Sequence, residues 1–212
     1  MIRSRLDKEL QDLNTEMLAM GAMCEKAIQL ADKGLMEGNT FAASQAVTLE
    51  NEIRQKGKSV EALCLRMLLL QQPMASDLRA VSAALKMITD MARIGEIASD
   101  MSEIITSMDG RLGILSINDM AAKTSEMVSD VINAFVHQDT ELARRVINAD
   151  DEVDQLFLKT RSDIIEKIIQ SPDDGAYAVD LVMISKYYEK IGDHAVNIAG
   201  WVIYSITGEQ AA

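Results

Sequence analysis

The 212-residue sequence predicts an all-α protein built as two tandem antiparallel three-helix bundles, and three observations carry that reading. Met, Leu, Ile, Ala, Glu, Lys and Asp dominate, while aromatics are 4% and prolines number two, a stock that favours helix over strand. Apolar residues recur at alternating steps of four and three over long stretches, the seam of a helix packed in a bundle. Ala92-Arg93-Ile94-Gly95-Glu96-Ile97-Ala98-Ser99-Asp100 is echoed about a hundred residues later by Glu189-Lys190-Ile191-Gly192-Asp193-His194-Ala195-Val196-Asn197, the mark of a tandem repeat.

A first helix, over about 3–37, follows Leu6, Leu10, Leu13, Met17, Met20, Cys24, Ala27 and Ala31. Gly38-Asn39 ends it, and Thr40 is placed to cap a second helix that carries Ala46, Leu49, Ile53, Val60, Cys64 and Met67 to about Leu70. Gln71-Gln72-Pro73 breaks the chain and Ser76 can cap a third helix, which runs to about Met108 through Leu78, Val81, Leu85, Ile88, Ala92 and Ile97. Asp109-Gly110-Arg111-Leu112-Gly113, the Gly-rich junction near the midpoint, sets the boundary between units 1–112 and 113–212.

Ser116 with Asp119 resembles an acidic capping box and opens a fourth helix carrying Met120, Met127, Val131 and Ala134, which His137-Gln138-Asp139 ends. A fifth, over about 140–170, carries Ala143, Val146, Val153, Phe157, Thr160 and Ile164. Ser171-Pro172-Asp173-Asp174-Gly175 then turns the chain into a sixth, over about 176–207, with Ile184, Tyr188, Ile191, Ala195, Ile198 and Val202 on its seam.

A formal charge of −12, without any basic block, speaks against nucleic-acid binding. No charged-then-apolar leader and no apolar run of about 18 residues is present, so a soluble intracellular chain is expected. Cys24 and Cys64 sit on helix seams and read as core packing rather than reactive thiols. Trp201 and Tyr204 read as core or interface anchors, and the 14 methionines as core filling.

The polar positions are more informative. Glu189 and Asp193 stand four apart on the outward face of the sixth helix, with Asn197 one turn on. Asp150 and Asp154 stand four apart on the fifth, and each pair lies at a similar distance from the Pro172 turn, so an antiparallel hairpin brings them level. Solvation of a charged face explains such acids, and so does a hard cation such as Mg, Mn, Fe or Ca held by oxygen ligands. The first half repeats the design in weaker form: Glu96 and Asp100 keep the spacing, Glu50 and Glu52 lie across the turn, and Ala92 replaces the counterpart of Glu189. Arg79, Lys86 and Arg93 form a basic row on the third helix, expected to pair with Asp77, Asp90 and Glu96. His194 reads as a hydrogen-bonded surface histidine and His137 as a helix-terminus residue.

The run Glu189-Lys190-Ile191-Gly192-Asp193-His194-Ala195-Val196-Asn197-Ile198-Ala199, with Val202-Ile203-Tyr204 and Thr207-Gly208-Glu209 after it, resembles the C-terminal signature of PhoU proteins. Leu6-Asp7, Glu9-Leu10, Met20-Gly21, Gln72-Pro73, Asp77-Leu78-Arg79, Val81 and Leu85-Lys86 resemble the family's first repeat, so the likeness spans nearly the whole chain. It implies two three-helix bundles with a surface metal, an iron cluster or alternatively Mg, Mn, Ca or Zn, held here by Glu189, Asp193, Asp150 and Asp154. Ala92 and Arg54 depart from the pattern and put a first-half cluster in doubt.

The resemblance further implies a cytoplasmic, non-enzymatic and often dimeric adaptor. Such an adaptor represses the phosphate-starvation response and limits phosphate uptake, coupling the ATPase subunit of a phosphate ABC transporter to a sensor histidine kinase and reaching the membrane through these partners. Three rivals compete with it: service to another transporter, phosphotransfer through His137 or His194, and a carboxylate-bridged di-metal oxidase. The last needs Glu-x-x-His pairs, whereas Ala134 and Ile191 stand three residues before the two histidines.

Overall fold

The computed structural model describes residues 2–108 and 115–209. Six long helices form it: α1 (Ile2–Glu37), α2 (Thr40–Leu70), α3 (Ser76–Ser107), α4 (Leu115–His137), α5 (Thr140–Gln170) and α6 (Gly175–Thr207), with one 3-10 turn over Pro172–Asp174. Among the described residues there is no strand, and no helix is long and apolar enough to cross a membrane. The expected unit boundary at 112/113 lies outside the described residues.

The predicted seams are where the helices bury their weight. Leu13, Met17, Met20, Cys24, Ala27 and Ala31 on α1, and Ala46, Ile53, Val60, Cys64 and Met67 on α2, are withdrawn from solvent. So are Ile184, Tyr188, Ile191, Ala195, Ile198 and Val202 on α6. Each four-three seam gives a helix one apolar stripe that the other two helices of its bundle cover. On α3 the buried set is Val81, Ala83, Ala84, Met87, Ile88, Met91, Ile94, Gly95, Ala98, Ser99, Met101, Ser102 and Ile105, while Leu85, Ala92 and Ile97 are half-buried on its flank and Leu78 is exposed. The physical reason is that α3 packs on α1 and α2 within its bundle and on α6 outside it, so its covered face is wider than one seam.

Three caps differ from expectation. Asn39, not Thr40, caps α2: its side-chain oxygen accepts from the Ala42 backbone N–H at 3.0 Å. Ser76 is the first residue of α3 rather than its cap, and the cap position falls to Ala75, at φ 49° and ψ −117° with no side-chain hydrogen bond. Ser116 lies inside α4 and is buried, where its hydroxyl donates to Asp163 of α5 at 2.9 Å. Asp139 caps α5 by accepting from the N–H groups of Glu141 and Leu142.

The two bundles join along α1 with α4 and along α3 with α6. Arg79 packs on Gly208, Lys86 lies over the Trp201 ring, and Asp90 meets His194, so ascending α3 descends α6 and the pair is antiparallel. On the other side Gly21 lets α1 approach α4 closely: a Cβ there would stand 2.8 Å from Cγ1 of Ile132. Both cysteines are fully buried, and burial pushes each thiol up to about 12, with the Cys24 Sγ–H donating to the Met91 carbonyl at 3.3 Å. They are packing residues, as their seam positions predict.

Candidate functional site

The second-half carboxylates meet where α5 and α6 face each other. Asp150 comes from α5 and Glu189 and Asp193 from α6. The Asp150 carboxyl is raised to about 6, first by burial, then by the charges of Asp154, Asp193, Glu189 and Asp151. The hairpin through the Pro172 turn therefore does bring the two acid pairs level. The echoed glycine makes room for this: a Cβ on Gly192 would stand 3.3 Å from Asp150 Oδ1 and 3.7 Å from Cγ1 of Val153.

The acids do not all face outward. The Glu189 side chain is only 13% exposed against 40% for Asp193, so Glu189 is drawn into the groove rather than displayed on it. Asp150 Oδ1 and Glu189 Oε2 are both buried without a hydrogen-bond partner. Two lysines offset the charge from outside. Lys190 bridges Asp193 and Glu189, and Lys186 forms an ion pair with Glu189 Oε2 that lacks hydrogen-bond geometry. Asp154 and Asn197 are exposed, and Asp154 reaches the cluster through its charge on Asp150.

The first-half set is looser. The Asp100 carboxyl is raised by burial and then by Glu96, Glu103 and Glu50, so three of the four expected acids are neighbours. Glu52 is exposed. Cations already hold two of them, Arg54 on Glu50 at 2.7 Å and Arg93 on Glu96. Arg54, which stands where Asp154 does in the second half, thus replaces an acid with a fixed positive charge. Among the described residues no three His, Cys, Asp or Glu side chains are gathered closely enough to hold a metal ion as they stand.

The basic row is only partly paired as expected. Arg93 binds Glu96, but Lys86 rests on Trp201 at 5.9 Å and the buried Arg79 Nε has no hydrogen-bond partner. Asp90 instead meets His194, whose Nδ1 lies 2.8 Å away, which bears out the hydrogen-bonded reading of that histidine. His137 Nδ1–H donates to the Asn133 carbonyl at 2.9 Å, at the end of α4. Trp201 meets Tyr204 edge-on, with centroids 5.9 Å apart.

One polar contact escaped sequence reasoning. The hydroxyl of Tyr188, fully buried on the α6 seam, donates to Asp32 of α1, whose carboxyl is raised to about 6 by burial against the opposing pull of that hydrogen bond. An acid one step past Ala31 on a core seam is the signal that could have pointed to it.

A duplicated helical bundle that carries carboxylates across each α-hairpin, with no strand in the described residues, defines a tandem-repeat helical protein with neighbouring acids in each half. The chain belongs to the PhoU domain family, which matches residues 17–105 and 117–202. It is similar to a phosphate-specific transport system accessory protein PhoU homolog of Aquifex aeolicus, 32% identical over 97% of this chain and 94% of that one. It is also similar to the homolog from Pseudomonas aeruginosa, 28% identical over 98% of this chain and 87% of that one. The crystal structure of PhoU from Pseudomonas aeruginosa superposes with a TM-score of 0.89 over 96% of this chain and 99% of that one, at 28% identity. The phosphate transport system regulatory protein PhoU from Streptococcus pneumoniae shares the fold, with a TM-score of 0.91 over 98% of this chain and 99% of that one at 22% identity.

Proposed function

We propose that this chain is a negative regulator of the phosphate-starvation response and of phosphate uptake. It acts as a non-enzymatic adaptor that couples the ATPase subunit of a phosphate ABC transporter to a sensor histidine kinase. The observation that carries the reading is kinship over nearly the full length with accessory proteins of phosphate transport. The adaptor works in the cytoplasm as a homodimer and reaches the membrane through its partners.

The second-half groove suits a metal. A buried carboxylate oxygen there, on Asp150, has no partner, Glu189 beside it is met only by lysine ammonium groups, and oxygen ligands of this kind take hard cations. Asp150, Asp154, Glu189 and Asp193 would hold it, with Asn197 one turn on. Bound metal would supply the concentrated positive charge that the crowded acids lack, and an iron cluster is the first candidate, with Mg, Mn, Ca or Zn as alternatives. Lys186 and Lys190 offset the charge of the same acids. Glu96, Asp100, Glu50 and Glu52 make a poorer second set because Arg54 and Arg93 already neutralise part of it.

A phosphate-regulated reporter in a deletion strain tests the regulator. High phosphate should fail to silence the reporter when the chain is missing, and re-expression should restore silencing. Full silencing without the chain would overturn the reading.

A further inference from the structure

We propose that the outward face of α5 is the twofold contact through which two copies of this chain associate. The inference rests on the homodimer stated above and assigns it a surface. Leu158, Ser162, Ile165 and Ile169 follow one another at steps of four, three and four along the exposed side of α5. Ile169 is 75% exposed, and Leu158 and Ile165 are 51% and 52% exposed. Val179 and Met183 of α6 are exposed as well. The three apolar side chains of the α5 stripe present roughly 300 Å² of surface, the size of the largest patch on an ordinary soluble chain. Two such faces, roughly 600 Å² together, form an apolar centre that the polar side chains around it complete to the roughly 1,000 Å² a specific interface needs.

The α5 sequence is also self-complementary. When two copies run antiparallel with Leu158 against the partner's Ile169, the axis passes beside Asp163 and Ile164, and Ser162 meets the partner's Ile165. In an antiparallel pair each helix flank meets the same flank of the other helix. Lys159 and Glu166 share one flank. In this register Lys159 is two residues, about 3 Å along the axis, from level with the partner's Glu166, within reach of both side chains. The contact therefore closes with two symmetry-related ion pairs, as an isologous interface requires.

The internal repeat supplies a comparison. A hundred residues earlier the corresponding positions of α2 are Lys58, Ala62, Leu65 and Leu69, so a charge cuts the stripe short. The flanking pair there is Ser59 and Arg66, with no acid to meet the base, and Arg66 already faces Glu9 at 3.9 Å. The first half is no less apolar near its own turn, where Leu65, Leu69, Leu70, Met74 and Leu78 are exposed, and the self-complementary pair of Lys159 and Glu166 is what sets α5 apart.

Light scattering and sedimentation of the full chain at tens of micromolar test the surface. Wild type should be a dimer, Ile165→Glu should raise its dissociation constant at least tenfold with helicity unchanged, and Leu65→Glu should leave it alone. Glu166→Lys should weaken the dimer, and Lys159→Glu added to it should restore it. Ser162→Cys should give an intermolecular disulfide on mild oxidation. Monomeric wild type, whether or not α5 then binds lipid vesicles or another protein, overturns both the homodimer and this surface. A dimer indifferent to Ile165→Glu, or broken only by Leu65→Glu, overturns the surface and leaves the homodimer standing.

Discussion

Asp150 and Glu189 show how much a single carboxylate depends on its neighbours. Each stands four residues from a second acid, Glu189 on an outward-reading face and Asp150 in the apolar register of its helix, and in the folded chain each has a buried oxygen, that of Asp150 without a partner and that of Glu189 met by Lys186. Lys186 and Lys190 partly neutralise them, and Gly192 leaves the space that Asp150 occupies. If this groove holds metal, chain purified without chelator should retain it and Asp193→Ala should lose most of it by elemental analysis. Equal, near-zero content in both would end the metal reading. Glu189 and Asp193 were legible in the sequence as a stacked pair; the burial of Glu189 was not, because the depth of a helix face depends on the neighbour laid against it.

At the scale of elements, helix extents followed from the apolar seams, and the departures are at the ends. Ala75 holds a left-handed backbone conformation that costs a residue with a Cβ on the order of 1 kcal/mol or more. Ala75→Gly should therefore stabilise the chain by about 1 kcal/mol, seen as a higher urea midpoint, the relief of strain exceeding the added freedom of the unfolded chain. The contact between α1 and α4 is tight in the opposite sense. Gly21→Ala would drive a methyl against both γ carbons of Ile132, at 2.8 and 2.9 Å. A loss of about 1–3 kcal/mol is expected. Ile132→Ala removes the obstructing atoms, so the double variant should lose less than the sum of the single losses, a coupling that a double-mutant cycle reads directly.

Across the whole molecule, side chains far apart in the sequence tie the two bundles together: Asp32 with Tyr188 and Asp90 with His194. Burial raises the Asp32 carboxyl from 3.8 to about 6, with the Tyr188 hydrogen bond pulling the other way. Between about pH 4 and pH 6 the folded chain holds a proton that the unfolded chain has released, so this group favours the fold below that window and the advantage is lost as pH rises through it. The effect is on the order of 3 kcal/mol for a shift of this size. Asp32→Asn keeps an acceptor for the tyrosine but removes the titration. The stability difference between wild type and variant should thus change across that window and be flat above pH 7, as denaturant curves at several pH values would reveal.

The sequence by itself determined the helices, their seams, the duplication and the acid spacing, because periodicity and local breakers act within a turn or two of the residues that write them. Fold class and family were therefore readable before any coordinates. Tertiary structure alone decided which acids are withdrawn, which bases stand over them, and how the two bundles are joined. Leu78 shows the difference: it keeps the register of α3 yet stands in solvent, since burial depends on which helices reach that level. Asp32 shows the converse, a carboxylate drawn into the interior by a tyrosine 156 positions away. Periodicity says which face of a helix is apolar, and only the packed partners say what that face will meet.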